Sequence, residues 1–281
     1  IYISRLGSWH YLEEPSFSEA DSRGLSILIR PGEKDPLGTK DGPLKIDVVL
    51  PILHGANGED GSLQGLMQIL GLPCAGADVA GSAINMDKEI MKRLLSEAGI
   101  PTAPFRVYHS LAEALRSVGV SRVLTEEEYE GAVKQAFRED NKILVEEGQS
   151  GREVECAVLG NAEPEASTVG EIRVKGGFYD YETKYIKTDG AELDIPARLS
   201  DAERLAVQKI SLQAYQALLC SGMGRVDSFL LPDGRVLINE INTLPGFTNI
   251  SMYPALWQAS GLKVEDLLER LLELALERRP A

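Results

Sequence analysis

Cysteine and histidine are scarce in this chain of 281 residues, at three each. Cys74, Cys156 and Cys220 are odd in number, far apart and form no CxxC pair. That excludes a disulfide framework and is what core thiols in a reducing compartment look like. His10, His54 and His109 are equally scattered, so no zinc site is indicated. Positive charge is also short. The 29 lysines and arginines face 43 acidic residues, a net charge of −14. Such a balance argues against nucleic acid or an anionic membrane as partner, while leaving room for a local basic pocket that takes phosphates. No apolar run approaches the roughly 18 residues of a membrane span, and there are no internal repeats or low-complexity tracts. Ile1 opens in mid-strand, without a methionine or a signal peptide, and residues are expected to precede it.

What is present is ordinary for a soluble globular protein, with 43% hydrophobic and 26% charged residues. The length allows one large domain or two to three small ones with a sizeable core. Residues 1 to about 44 carry little pattern. Ile46–Leu53 then reads as a buried strand that runs into the glycine loop His54–Gly61 and a helix at about Ser62–Leu70. Strand, glycine loop and helix make an αβ unit of a mostly parallel sheet. Such a loop either receives an anion at the helix N-terminus or is merely a tight turn. A helix over Ser82–Ala98 is interrupted near Asn85, with Asp87-Lys88 at the start of its second part, and is stopped by Gly99-Ile100-Pro101.

Farther on, Phe105–Tyr108 reads as a strand and Leu111–Arg116 as a short helix. Thr125-Glu126-Glu127-Glu128 is a capping box that opens a helix to about Arg138. Ile143–Glu146, Glu153–Leu159 and Val169–Val174 are strand-like, with Gly160-Asn161 a hairpin turn. This part is α+β. Gly176 to about Asp189 is rich in aromatics and is expected to be a lid. Ser200–Cys220 is an amphipathic helix with Leu205, Leu212, Tyr215 and Leu219 near helical spacing. In the helix Val264–Arg279, the leucine pairs at 267/268 and 271/272 are expected to face a core.

The richest stretch is Gly222–Gly246, GMGRVDSFLLPDGRVLINEINTLPG. Two apolar-rich runs, Arg225–Leu231 and Val236–Asn242, flank Pro232-Asp233-Gly234, which marks a β-hairpin. Side chains alternate along a strand, so Arg225 and Asp227 share one face, as do Glu240 and Asn242. If those faces coincide, two carboxylates and an amide oxygen offer the hard donors that Mg²⁺ takes together with substrate phosphates. Arg225 beside them can neutralise charge in a transition state. The plainer alternative is a solvated strand face, but the polar groups lie at strand ends next to a loop, where sites tend to be.

Taken together, HGANGEDG with Gln64-Gly65, then SAINMDK, YDYETKY, GRVD and NEINTLPGFT resemble the D-alanine–D-alanine ligases of the ATP-grasp superfamily. The match runs from about Ile46 to the end of the chain. It implies a three-domain ATP-grasp fold mixing α/β and α+β. Residues 1–86 would form an N-terminal αβ domain with a parallel sheet, 87–174 a central α+β subdomain, and 175–281 a C-terminal α+β domain, with ATP clasped between the last two. The activity implied is cytoplasmic and serves peptidoglycan precursor synthesis. ATP phosphorylates the carboxylate of one D-alanine, and the amine of a second attacks the acyl phosphate.

By the same resemblance, Asp227, Glu240 and Asn242 would hold two Mg²⁺ ions, for which Mn²⁺ is a possible substitute. Arg225 would stabilise the transferring phosphoryl and the oxyanion. Lys88 and Lys184 would contact phosphates, and Glu146, Gln149, Glu153 and Phe178 would line the nucleotide site. Gly246 and Ser251 would bind the second D-alanine's carboxylate. His54, Tyr185 and Ser117 complete the implied catalytic set. Glu147 stands where the family usually has lysine. A homodimer is what relatives imply.

Two pieces of the family's pattern are missing from the sequence: an N-terminal glycine-rich motif, and a lysine-bearing strand with its Gly-Ser-Ser loop just before Ser117. They are expected to be omitted segments and not true deletions. The alternatives are a D-alanine–D-lactate ligase, another ATP-grasp carboxylate–amine ligase, or a non-catalytic nucleotide-binding relative. Tyr185 favours the dipeptide, because D-lactate-adding relatives carry in the lid a histidine that can repel a protonated amine.

Overall fold

The computed structural model describes residues 1–4, 6–13, 24–114, 126–174, 191–248 and 250–278. The chain opens with two small antiparallel sheets. One is β1 (Tyr2–Ile3), β2 (Trp9–Tyr11) and β3 (Leu25–Ser26); the other is β4 (Leu28–Ile29), β5 (Leu37–Thr39) and β6 (Gly42–Pro43). The strand expected over 46–53 is reduced to one parallel bridge between Val49 and Cys74. Val49 N–H donates to Pro73 O at 2.8 Å and Ala75 N–H donates to Val49 O at 2.8 Å. The ladder stops there because Pro51 and Pro73 lack the N–H that a longer one needs. Val49 and Leu53 still pack on Leu63 and Met67 of α1 (Ser62–Ile69).

After α1 come α2 (Val79–Met86) and α3 (Lys88–Glu97). The break between them is at Asp87, whose side chain accepts from Glu89 N–H and Ile90 N–H as the cap of α3. The second part thus opens at Asp87-Lys88 as expected, and Asn85, just before the break, is buried inside α2. Its amide donates to Gly81 O (2.7 Å) and to Leu218 O (3.2 Å). Next, β7 (Phe105–Tyr108), α4 (Leu111–Ala114), α5 (Glu126–Glu139) and β8 (Ile143–Glu146) form a small layer. In it β7 pairs antiparallel with β8 over a core of Tyr108, Val133, Ile143 and Val145.

The largest sheet follows, from β9 (Arg152–Gly160), β10 (Glu165–Val174), β11 (Ala191–Asp194), α6 (Asp201–Ala217), β12 (Gly222–Leu230) and β13 (Val236–Asn242). Its order is β11-β10-β9-β12-β13 and every pair is antiparallel. Ser200 and Glu203 close a reciprocal capping box at the start of α6. The buried stripe of α6 is Val207, Ser211, Ala214, Tyr215 and Leu218, whereas Leu205 and Leu219 are exposed at 57% and 55%. The expected stripe of leucines was thus partly misplaced. The 3.6-residue turn carries Leu205 off the core face, and Leu219 lies beyond the helix end at φ 55°. Helices α7 (Met252–Ala259) and α8 (Val264–Glu277) complete the fold, and Leu267, Leu271 and Leu274 of α8 are buried in a core.

Strand alternation explains how this sheet both packs and leaves a site. On one face Val154, Cys156, Val158 and Val226 meet α6, with Met91 and Leu95 of α3 joining the same packing. On the other, Ala157, Leu159 and Met223 are covered by α7 and α8. Continuing two residues at a time along that second face, β9 presents Glu155 and Glu153, and β12 presents Arg225 and Asp227. The apolar end of this face lies under the helices, and at its polar end Glu155 and Asp227 are buried as well, at 3% and 8% exposure.

Candidate active site

The hairpin forms as its sequence predicts. Gly234 takes φ 83° in the turn, a left-handed conformation that costs glycine nothing. The register then sets Arg225 opposite Asn242 and Asp227 opposite Glu240. Residues directly opposite share a face, so the four polar groups do converge. Arg225 Nε and Nη2 donate to the two carboxylate oxygens of Asp227, each at 2.7 Å. The Asn242 side-chain oxygen accepts from Leu244 N–H at 3.1 Å, which shapes the loop after β13.

The neighbouring strand adds a residue that sequence reasoning missed. Glu155 lies opposite Asp227 on β9, and its Oε2 is 3.0 Å from Arg225 Nε. Arg225 is therefore held between two carboxylates. Burial works against its charge, but Asp227 and Glu155 outweigh that and hold the guanidinium firmly protonated. The signal was available in the Glu153-Val154-Glu155 alternation, which sets two acids on one strand face.

Lys88, the first residue of α3, reaches the hairpin with Nζ 3.0 Å from Glu240 Oε2. One turn further, Lys92 is wholly buried and pairs with Glu146 Oε1 of β8 at 2.6 Å. Of the other residues expected around the nucleotide, Glu153 sits on the site face of β9 opposite Ile172 of β10. Gln149 instead turns back on its own loop, donating to Glu147 O at 3.0 Å. Phe178, Lys184, Tyr185 and Ser117, and with them the expected lid at 176–189 and the cap residue Thr125, lie outside the described residues.

His54, Gly246 and Ser251 form a second cluster. A methyl group on Gly246 would stand 2.8 Å from Ser251 Oγ and 3.9 Å from His54 Nε2, so only glycine leaves this corner open. Ser251 Oγ accepts from Thr248 N–H at 3.0 Å, just ahead of α7. The Glu59 carboxylate, 3.8 Å from Nδ1, holds His54 above its ordinary value, opposed by partial burial and by the charge of Arg225. Glu59 also accepts from Gly55 N–H, while Asp60 accepts from Asn57 N–H (2.8 Å) and Ser62 N–H (2.9 Å). The acidic side chains of the GEDG loop thus take up amides on either side of it, at Gly55, Asn57 and Ser62.

The donor set can be tested against magnesium. Among the described residues no group of three or more His, Cys, Asp or Glu is arranged to hold a metal alone. Two carboxylates and an amide oxygen on one hairpin face are nevertheless hard donors of the kind that hold Mg²⁺ jointly with phosphates and water. Asp227 and Glu240 face Arg225 and Lys88 instead. These residues fit the ion, which would compete with two protein cations.

Comparison with known proteins gives the lineage. The family model "D-ala D-ala ligase N-terminus" matches residues 1–77, and "D-ala D-ala ligase C-terminus" matches 110–273. D-alanine--D-alanine ligase A of Escherichia coli K12 is 48% identical over 314 positions, covering 99% of this chain and 86% of that protein. Because the alignment spans 314 positions and the chain has 281 residues, the relative carries positions with no counterpart here. The D-alanine–D-alanine ligase of Coxiella burnetii superposes with a TM-score of 0.85 at 36% identity, covering 99% of this chain and 83% of that one. The Bacillus anthracis D-alanine–D-alanine ligase complexed with ATP gives a TM-score of 0.71 at 31% identity, covering 83% and 80%. Matched by both family models and nearly half identical to a curated relative across almost all of its length, the chain belongs to the D-alanine–D-alanine ligase family.

Proposed function

We propose that the chain joins two molecules of D-alanine into D-alanyl-D-alanine at the expense of ATP, at the β12–β13 hairpin face and the adjoining His54–Gly246–Ser251 corner. The observation that carries the reading is the register that sets Arg225, Asp227, Glu240 and Asn242 on one face. The activity follows from the family; the assignment of residues is our own. Three functional parts are proposed, 1–86, 87–174 and 175–281, with ATP between the last two.

The first D-alanine's carboxylate oxygen attacks the γ-phosphorus, and ADP leaves with the electron pair of the broken P–O bond. The amine of the second attacks the acyl carbon, and phosphate departs once that amine has lost its proton. Such chemistry depends mostly on positioning and charge neutralisation. Arg225, steadied by Glu155, supplies positive charge where the phosphoryl group and the oxyanion develop. Lys88 serves the phosphates, and Glu146 and Glu153 the base and ribose. Gly246 and Ser251 receive the second substrate's carboxylate beside His54. Asp227, Glu240 and Asn242 would hold magnesium, which when bound neutralises phosphate charge. Lys184, Tyr185, Phe178 and Ser117 keep their expected roles as proposals, as do a cytoplasmic setting and a homodimer. Among the described residues no helix is long and apolar enough to cross a membrane.

The test is ADP and phosphate release with and without D-alanine, followed by a competition at pH 7 between equal D-alanine and D-lactate, read by product mass. D-Alanine-dependent release with the dipeptide predominant is expected. Release indifferent to D-alanine would refute the ligase reading, and a predominant ester would refute the choice of second substrate.

A further inference from the structure

A lysine side chain with no exposed surface is costly to bury unless its charge is matched. Lys92 is such a residue, and its partners are few and specific. Its Nζ lies 2.6 Å from Glu146 Oε1 and donates to Thr102 Oγ1 at 2.7 Å, and it stands 5.8 Å from the centre of the Phe105 ring. Burial pulls its proton affinity below the usual lysine value, with Glu146 pulling the other way. Thr102 Oγ1 in turn donates to Ile238 O of β13 at 2.9 Å, and Ile238 N–H donates to Pro101 O at 2.9 Å.

The placement on α3 gives this network its meaning. Lys88 and Lys92 are four residues apart and so stand on one helical face, a turn from each other. The first pairs with Glu240 of the hairpin and the second with Glu146 of the small β7–β8 layer. One helix face thereby ties together two carboxylates from separate sheets. Among the described residues Glu146 is fixed through Oε1, and its side chain keeps 28% of its surface exposed. With Oε1 engaged by Lys92, the carboxylate keeps capacity for an N–H donor.

We propose that Lys92 is a positioning residue for the nucleotide base: it fixes Glu146, through Oε1, as an acceptor for an exocyclic amine and thereby favours ATP over GTP. Adenine carries an amino group at C6, whereas guanine carries a carbonyl there, which a carboxylate repels. Thr102 anchors the ammonium to β13, so base recognition and the hairpin share one support. This inference rests on the reading that Glu146 meets the base.

The test compares Lys92→Met, Thr102→Val and Glu146→Ala with the parent enzyme, in KM for ATP, KM for D-alanine, kcat and the ATP-to-GTP ratio of kcat/KM. Thr102→Val keeps its size and leaves Lys92 with Glu146, so it reports on orientation even if Lys92→Met does not fold. For Lys92→Met the KM for ATP should rise about tenfold or more, as expected for a lost charge-assisted hydrogen bond. The ATP preference should fall by a similar factor, while kcat and the KM for D-alanine stay within about threefold. Thr102→Val should move the same two quantities in the same direction by a smaller factor. A lowered Tm with base preference unmoved in both variants, while Glu146→Ala does move it, would overturn the role of Lys92 and keep that of Glu146. Base preference unmoved in Glu146→Ala would instead remove the reading on which the inference rests.

Discussion

Asp227 and Glu240 each offer a negative oxygen on the hairpin face, and each is now matched by a protein cation. Replacing either by its amide removes a charge that magnesium must see, with almost no change in shape. Asp227→Asn and Glu240→Gln should therefore each lower kcat by about a hundredfold or more at saturating Mg²⁺ while the protein still folds, although Asp227→Asn also weakens the buried pair with Arg225. Activity within a few-fold of the parent would contradict the metal assignment. His54 offers a titration test. Its affinity for a proton is raised above the ordinary 6.5 by Glu59. The folded state gains from this group below about pH 6.5 and loses that gain as pH rises through the raised value. In Glu59→Gln the His54 ring should titrate at lower pH, as followed by its NMR signal; an unmoved midpoint would show that Glu59 is not the cause. At this scale the sequence was informative for Arg225, Asp227, Glu240 and Asn242 because a period of two and a tight turn imply their register. It was silent on Lys92, since a lysine among helical residues looks solvated until the elements packed over it are known.

Elements were legible wherever period and punctuation agreed. The β12–β13 hairpin, α1 and the capped α6 are where the pattern puts them. The stretch 46–53 shows the opposite case: its apolar run is packed, yet two prolines limit it to one bridge. Asp87 caps α3 where Asp87-Lys88 were expected to open the second part of the helix, while the buried Asn85 amide spends its donors on carbonyls of α2 and next to the α6 end. Helix α8 is also tied to a distant part of the chain by Arg278. Its guanidinium donates to Cys74 O (2.7 Å), Gly76 O (2.6 Å) and Ser221 Oγ (2.6 Å). Arg278→Met should cost about 2–3 kcal/mol, since hydrogen bonds from a charged donor are among the stronger ones and their acceptors would be orphaned. A urea denaturation curve shifted by less than about 0.5 kcal/mol, the usual range for surface changes, would contradict that role.

At the scale of the whole molecule, several short motifs in one order carried the family where no single motif would have. The net charge is −14, yet Arg225 and Lys88 stand at the hairpin face and its bordering helix. Composition alone thus says little about a phosphate site. What the sequence did not disclose is how distant loops meet: the corner of His54, Gly246 and Ser251 joins two loops almost two hundred positions apart. The central claim is that these parts together make an acyl phosphate. It is tested most directly by supplying D-alanine labelled with ¹⁸O in its carboxylate, together with ATP and Mg²⁺, and weighing the phosphate released. One ¹⁸O atom in each phosphate, with one dipeptide formed per ADP, is the expected result; unlabelled phosphate would mean that water, and not the carboxylate, attacks ATP.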